Sequence, residues 1–322
     1  MRTRSVRGAA ARRPWLAEPA TALYIALIAL IAQATGLFYV LFPELGALSH
    51  DVLKRPHGVW ARAPLMLVLT PLLTAVGGTL IVRHLPYGMP SVLLDVGWSA
   101  VVITVLRSPI APAISAGLMP LALQIRSLWY PPSILIGTSL LAGLSLLWRR
   151  IGFPPPAEAG LDADDDAVER APGDYSWVPF FLLFLLLAIG AAELSGDRMV
   201  LFPPLVVIGF EMFSHPSHCP WADRPFALLV ACGLTAVAGV ACVTMLGVGP
   251  LGATLSMLAG VEVLKVLDLH VPPALAVGLL PFVLARPDWS FPVAVLAGTA
   301  LQALTFAAWR KLLRLRGAGR AL

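Results

Sequence analysis

The chain has 322 residues, 58% of them apolar and only 13% charged, with a net charge of +5 and a mean hydropathy of +0.82. Soluble globular domains carry about 25% charged residues, so this composition excludes one and points to a bilayer. Long continuous apolar runs, in place of short alternating strands, select helices over a closed barrel.

Residues 1–18 are a basic tail containing Arg2, Arg4, Arg7, Arg12 and Arg13. The apolar run behind it is too long for a cleaved signal peptide and lacks the small-residue cleavage site, so the tail is expected to be retained in the cytoplasm. Apolar runs at about 20–41, 64–82, 91–106 and 131–148 read as four crossings of a first unit, 19–150, each able to span the ~30 Å hydrocarbon layer. Residues 151–176 hold Pro154-Pro155-Pro156 and the acidic run Asp162 to Asp166, the composition of a solvated cytoplasmic linker. A second unit, 177–311, repeats the runs at about 179–195, 225–245, 251–267 and 291–309, and 312–322 is a basic tail. The expected fold is an all-α polytopic membrane protein of two tandem four-helix repeats, about eight transmembrane helices, with short re-entrant helices between them.

The repeat is visible residue by residue. At an offset of 161, residues 57–120 match 218–281 without a gap at 22 of 64 positions, among them His57/His218, Trp60/Trp221, Pro64/Pro225, Gly88/Gly249 and Gly117/Gly278. One-residue slips extend the match to Leu41-Phe42-Pro43 against Leu201-Phe202-Pro203, and to Trp148-Arg149 against Trp309-Arg310. Shared leucine and alanine are cheap in so apolar a chain, but matched His, Trp, Pro and Gly at one spacing are not.

Lys and Arg near the ends of crossings orient a membrane protein. The N-terminal tail, Arg149-Arg150 and the Arg310 to Arg320 cluster all read as cytoplasmic. That requires an even number of crossings per unit and makes the two units parallel. Lys54, Arg55, Arg62, Arg107, Arg126 and Arg286 then fall on the outer side and blur the bias. An inner-membrane protein with both termini cytoplasmic is the expectation.

Two apolar segments per unit are too short to cross and open on proline: one from Pro43, with its partner from Pro203, and one from Pro109 and Pro112, with its partner at His270, Pro272 and Pro273. Proline suits the first turn of a helix, so these read as half-helices that begin inside the protein and present unpaired N–H groups to an anion. The alternatives are prolines that merely kink packed helices, and a segment 108–125 that crosses. Glu262 and Lys265 stand at i and i+3 in the third crossing of the second unit, as an ion pair locking helices or as a proton relay. Asp95 opposite Ser256, and Glu193 opposite Gln33, are lone polar residues at similar depth. Arg126 and Arg286 recur before a Trp in both units, as interfacial anchors or as groups that attract substrate. His215-Pro216-Ser217-His218-Cys219 lacks a full metal ligand set. Cys219, Cys232 and Cys242 form no pairable framework. No cofactor motif and no nucleophile, base or phosphate loop stands at a workable spacing, so an enzyme is not expected.

The second unit resembles the HPP family of integral membrane proteins. The resemblance rests on Asp268-Leu269-His270-Val271-Pro272-Pro273-Ala274, close to the family's His-Pro-Pro motif after its third helix, and on Pro220-Trp221-Ala222-Asp223-Arg224-Pro225. A valine separates histidine from the proline pair here, and the first unit has Pro109 and Ala111 at the positions of His270 and Pro272. The resemblance implies four membrane helices per unit, transport of a small anion such as nitrite, and a motif role for His270, Pro272 and Pro273. Expected partners are therefore the lipid bilayer and a small inorganic anion. A homo-oligomer stays open, and nucleic acid is not expected because the arginines cluster at the ends of apolar runs. The other reading is an integral membrane protein that transports nothing, an intramembrane enzyme or a scaffold for partner helices.

Overall fold

A computed structural model describes residues 16–150, 163–169 and 175–318, with side chains for all of these but 163–165 and 314–318. The tail arginines before residue 16, Pro154 to Pro156, and Arg320 lie outside the described residues, as do the side chains of Arg314 and Arg316. Among the described residues every regular element is helical: α1 (Ala17–Thr35), α2 (Glu44–Lys54), α3 (Val59–Arg62), α4 (Pro64–His84), α5 (Met89–Leu106), α6 (Ala113–Leu123), α7 (Tyr130–Arg150), α8 (Ala163–Val168), α9 (Val178–Ser195), α10 (Pro203–Ser214), α11 (Pro225–Leu246), α12 (Pro250–Val266), α13 (Pro273–Leu279) and α14 (Ser290–Ala318). Seven are long and apolar enough to cross a membrane: α1, α4, α5, α7, α9, α11 and the Ser290–Leu313 part of α14. The 17-residue α12 is the eighth expected crossing and sits at the short limit for a span.

Local chemistry sets the helix ends. Proline opens α4, α11 and α12 at or next to the first helical position, where its missing N–H costs nothing. α1 and α9 both stop on a glycine in the left-handed region, Gly36 at φ +71° and Gly196 at +72°, the usual way to close a helix without strain. Leu23, Leu94, Val101, Val105, Leu194 and Phe226 stand outward, more than half exposed. α2, α6, α10 and α13 form the centre, with nearly every residue buried. The two halves interlock there, since α2 packs on α13, α10 on α6, and α1 on α12.

Polar contacts define two ends of the bundle. At one, called here the linker end, Lys265 holds Glu18 at 2.7 Å, Trp148 donates to the Leu53 carbonyl, and Arg62 meets Asp166 of the linker. At the far end the Met89 N–H donates to Glu193 and Arg83 donates to the Arg126 carbonyl. α1 finishes at the far end while α4 begins at the linker end, so the 36–54 stretch carries the chain the whole way between them. The 107–129 stretch, from Ser108 beside Thr70 to Arg126 beside Arg83, carries it back. These stretches therefore do not turn back to the side they came from, as re-entrant segments would. Each is a traverse broken midway, with an irregular lead-in and a half-length helix. The difference also moves Lys54, Arg55, Arg62 and Arg107 from the outer side to the linker end, beside Arg149 and Arg150.

Corresponding positions in the two halves make corresponding contacts. Arg149 donates to the Ala61 carbonyl and Arg310 to the Ala222 carbonyl, each at 3.3 Å. Arg107 after α5 and Asp268 after α12 share a left-handed φ, +48° and +46°. Gly78 of α4 lies against the Gly117 carbonyl of α6, as Gly239 of α11 lies against that of Gly278 in α13.

Candidate functional site at the seam of the halves

Asp51 lies on the last turn of α2 and Arg55 caps its C-terminus, with the Arg55 N–H donating to the Asp51 carbonyl, so the two side chains lie close together. Arg55 Nε donates to Asp51 Oδ1 at 2.7 Å, its Nη1 reaches Asp166 Oδ1 at 3.3 Å, and its Nη2 donates to Glu169 Oε1. Arg55, Asp51 and Glu169 are all buried. His270 Nε2 stands 3.7 Å from Asp51 Oδ1. Beside this cluster is a cavity of about 20 Å³ lined by Trp60, Glu169, Glu211, Trp221, His270 and Pro272, with Val168 and Pro220 at its edge. A space of that size holds about one water. Its walls come from both halves, with Trp60 and Trp221 corresponding at offset 161; Glu211, also in the wall, corresponds at offset 160 to Asp51 of the adjacent cluster, the two on the last turns of α10 and α2.

The linker is part of this site. It was expected to be solvated, yet its α8 turn lays Val168 and Glu169 against the seam, 5% and 6% exposed, because Arg55 and Arg62 sit there to receive Asp166 and Glu169. Burial pushes the Glu169 carboxyl well above the usual glutamate range; Asp51's charge adds to the rise, and the Arg55 guanidinium only partly offsets it. A carboxyl with a raised pKa in the docked state binds its proton more tightly there than when released. Docking is therefore strongest below the ordinary glutamate range and weakens as pH rises through the raised value. A spin label on Ala167→Cys is expected to gain mobility as pH rises, and to lose that dependence with Glu169→Gln. A label whose mobility ignores pH in both proteins would remove Glu169 as the titrating group.

Of the residues read from sequence, His270 and Pro272 line the cavity, Pro273 opens α13 beside it, and the Pro109 carbonyl accepts from Trp60 Nε1 at 3.0 Å. Pro112 and Pro43 precede α6 and α2, and Pro203 opens α10. The half-helix N-termini of α6 and α2 do not open on the cavity. They meet at mid-depth, where Ala113's carbonyl accepts from Thr74, midway along α4. There the Glu44 side chain fills the gap, its Oε1 taking a 2.6 Å hydrogen bond from Ser115, so the space between those helix ends is occupied by the chain's own carboxyl. Arg126 and Arg286 are exposed at the far end, away from the cavity. Glu262 and Lys265 pair at 2.8 Å on the linker-end surface together with Glu18. Among the described residues no three His, Cys, Asp or Glu side chains group as metal ligands. Sequence reading missed Asp51, Arg55, Glu169 and Glu211. The matched carboxylates at offset 160 were the signal for two of them.

Comparison with protein-family models, with characterised proteins and with solved structures finds no match to this chain.

Proposed function

We propose that the chain is a multi-pass inner-membrane carrier or channel that passes a small inorganic anion of nitrite's size through the seam between two parallel copies of one unit. The observation that carries this reading is the buried Arg55 guanidinium at that seam, holding the carboxyl of Glu169, which arrives from the linker. Nitrite and a carboxylate share a bent pair of oxygens, and the planar guanidinium fork suits both. The seam cavity, about 20 Å³, has room for about one water while Glu169 is docked, so an anion must take the place of that side chain. The contacts shared by the halves support two copies of one unit, and the resemblance to the HPP family supports the anion. The linker end carries Lys54, Arg55, Arg62, Arg107, Arg149, Arg150, Arg224, Lys265, Arg310 and Lys311; the far end carries Arg83, Arg126, Arg198 and Arg286. By the positive-inside rule this favours a cytoplasmic linker end. In a bilayer the short central helices then begin or stop partway through the hydrocarbon, which lipid tolerates because the protein buries them.

In this reading the docked Glu169 carboxyl occupies the anion's place and keeps the resting path closed. Purified protein in liposomes is expected to pass nitrite, faster with Glu169→Ala and more slowly with His270→Ala at unchanged folded yield. If neither the wild type nor Glu169→Ala moves any anion, cation or neutral solute, transport is wrong and a non-transport membrane role replaces it.

A further inference from the structure

At the offset of 161, Asp95 of α5 takes the place that Ser256 has in α12, and Gly117 the place of Gly278. In the second half the Ser256 hydroxyl donates to the Gly278 carbonyl at 2.7 Å, tying α12 to α13. In the first half Asp95 is fully buried. A methyl built on Gly117 would lie 2.9 and 3.1 Å from its two carboxyl oxygens, so Asp95 lies against Gly117 much as Ser256 lies against Gly278. Neither Asp95 oxygen receives a hydrogen bond, and the Ser99 hydroxyl one turn along has no partner either. An ionised carboxylate without a donor in a dry interior carries a large desolvation penalty. A neutral carboxyl has an O–H, and the carbonyl of Gly117 is the acceptor this position offers.

The structure assigns Asp95, we propose, as a proton-binding site: the bound proton lets the carboxyl donate to the Gly117 carbonyl and hold α5 on α6, a bond the second half makes with a hydroxyl that does not titrate. Few other charges face it. Tyr130 of α7 is a titratable group on this side, its hydroxyl donating to the carbonyl of Ala116, the neighbour of Gly117. α6 has none, α4 has only Arg83 and His84 in its last turn, and α9 has only Glu193, bonded to Met89. Glu44 of α2 is the other buried acid near Tyr130. Because the lead-in to α6 contacts Trp60 at the seam, the proton on Asp95 bears on the geometry there. The site itself stands whether or not the protein transports.

Infrared spectra of the purified full chain, reconstituted at neutral pH in water and in heavy water, test it. Subtracting Asp95→Asn from wild type is expected to leave one carboxylic-acid stretch that shifts in heavy water, distinct from any band lost with Glu44→Gln. Asp95→Ser, which copies the second half, is expected to fold to wild-type yield. A difference spectrum showing only lost carboxylate bands overturns the assignment, and so does failure of both Asp95→Asn and Asp95→Ser to fold.

Discussion

Arg55→Ala is expected to cost roughly 3–5 kcal/mol of stability, the usual effect of removing one partner from a buried ion pair. Asp51 is fully buried and its Oδ2 already lacks a hydrogen bond. Without the guanidinium its charge keeps, among the described residues, His270, 3.7 Å away, and Asp166 and Glu169 lose the group that draws the linker in. Removing both charges with Asp51→Leu and Arg55→Met is expected to restore most of the loss, because an apolar pair of similar volume carries no desolvation penalty. Arg310→Ala offers the contrast. Its partner Asp223 is 72% exposed, and such surface pairs contribute about 0–1 kcal/mol. Melting temperatures of detergent-purified protein read all three. If Arg55→Ala melts with the wild type, the guanidinium is not what lets Asp51 stay buried.

The distance between sequence and structure follows from where each signal lies. Proline at Pro64, Pro225 and Pro250 and glycine at Gly196 act within one turn of themselves, so those helix ends were legible, whereas the first run, read as 20–41, overran Gly36, where α1 stops after Thr35. The same holds for the half-helices opening at Pro43, Pro112, Pro203 and Pro273. Their course was not legible, because a broken traverse and a re-entrant turn have the same local composition. What separates them is whether the next long helix starts at the same end or the opposite one, a tertiary fact carried by contacts such as Thr70 to Ser108. That one difference misplaced Lys54, Arg55, Arg62 and Arg107, and with them the site. Asp51 and Glu211 lie in the slipped part of the repeat, outside its ungapped match. Glu169 was hidden in a stretch that looks solvated by composition, and what buries it is a guanidinium more than a hundred residues away in the chain.

The close crossings of α4 on α6 and of α11 on α13 carry the second large effect. A methyl built on Gly78 falls inside the contact radius of the Gly117 carbonyl oxygen, and one built on Gly239 does the same to Gly278. In both cases the obstacle is backbone, which no rotamer change can move, so the helices must separate. Within a bilayer, small residues are what let two backbones pack this closely, and packing rather than water exclusion holds the helices together. Gly78→Ala and Gly239→Ala are each expected to cost about 1–3 kcal/mol, the usual penalty for overpacking, with a valine at either site worse. Separation of α4 from α6 also pulls at Thr74, which donates to the Ala113 carbonyl at 2.7 Å, so the loss should spread to the start of the half-helix. Gly97→Ala on α5 and Gly143→Ala on α7 control for the substitution itself, since a methyl there meets nothing within 4 Å. They should be neutral, or stabilising by up to about 1 kcal/mol through helix propensity. Folded yield and melting temperature should thus divide the four variants into two pairs by contact and not by residue type. If all four behave alike, the close approach of these backbones does not hold the halves in shape, and the shared crossing loses its energetic meaning.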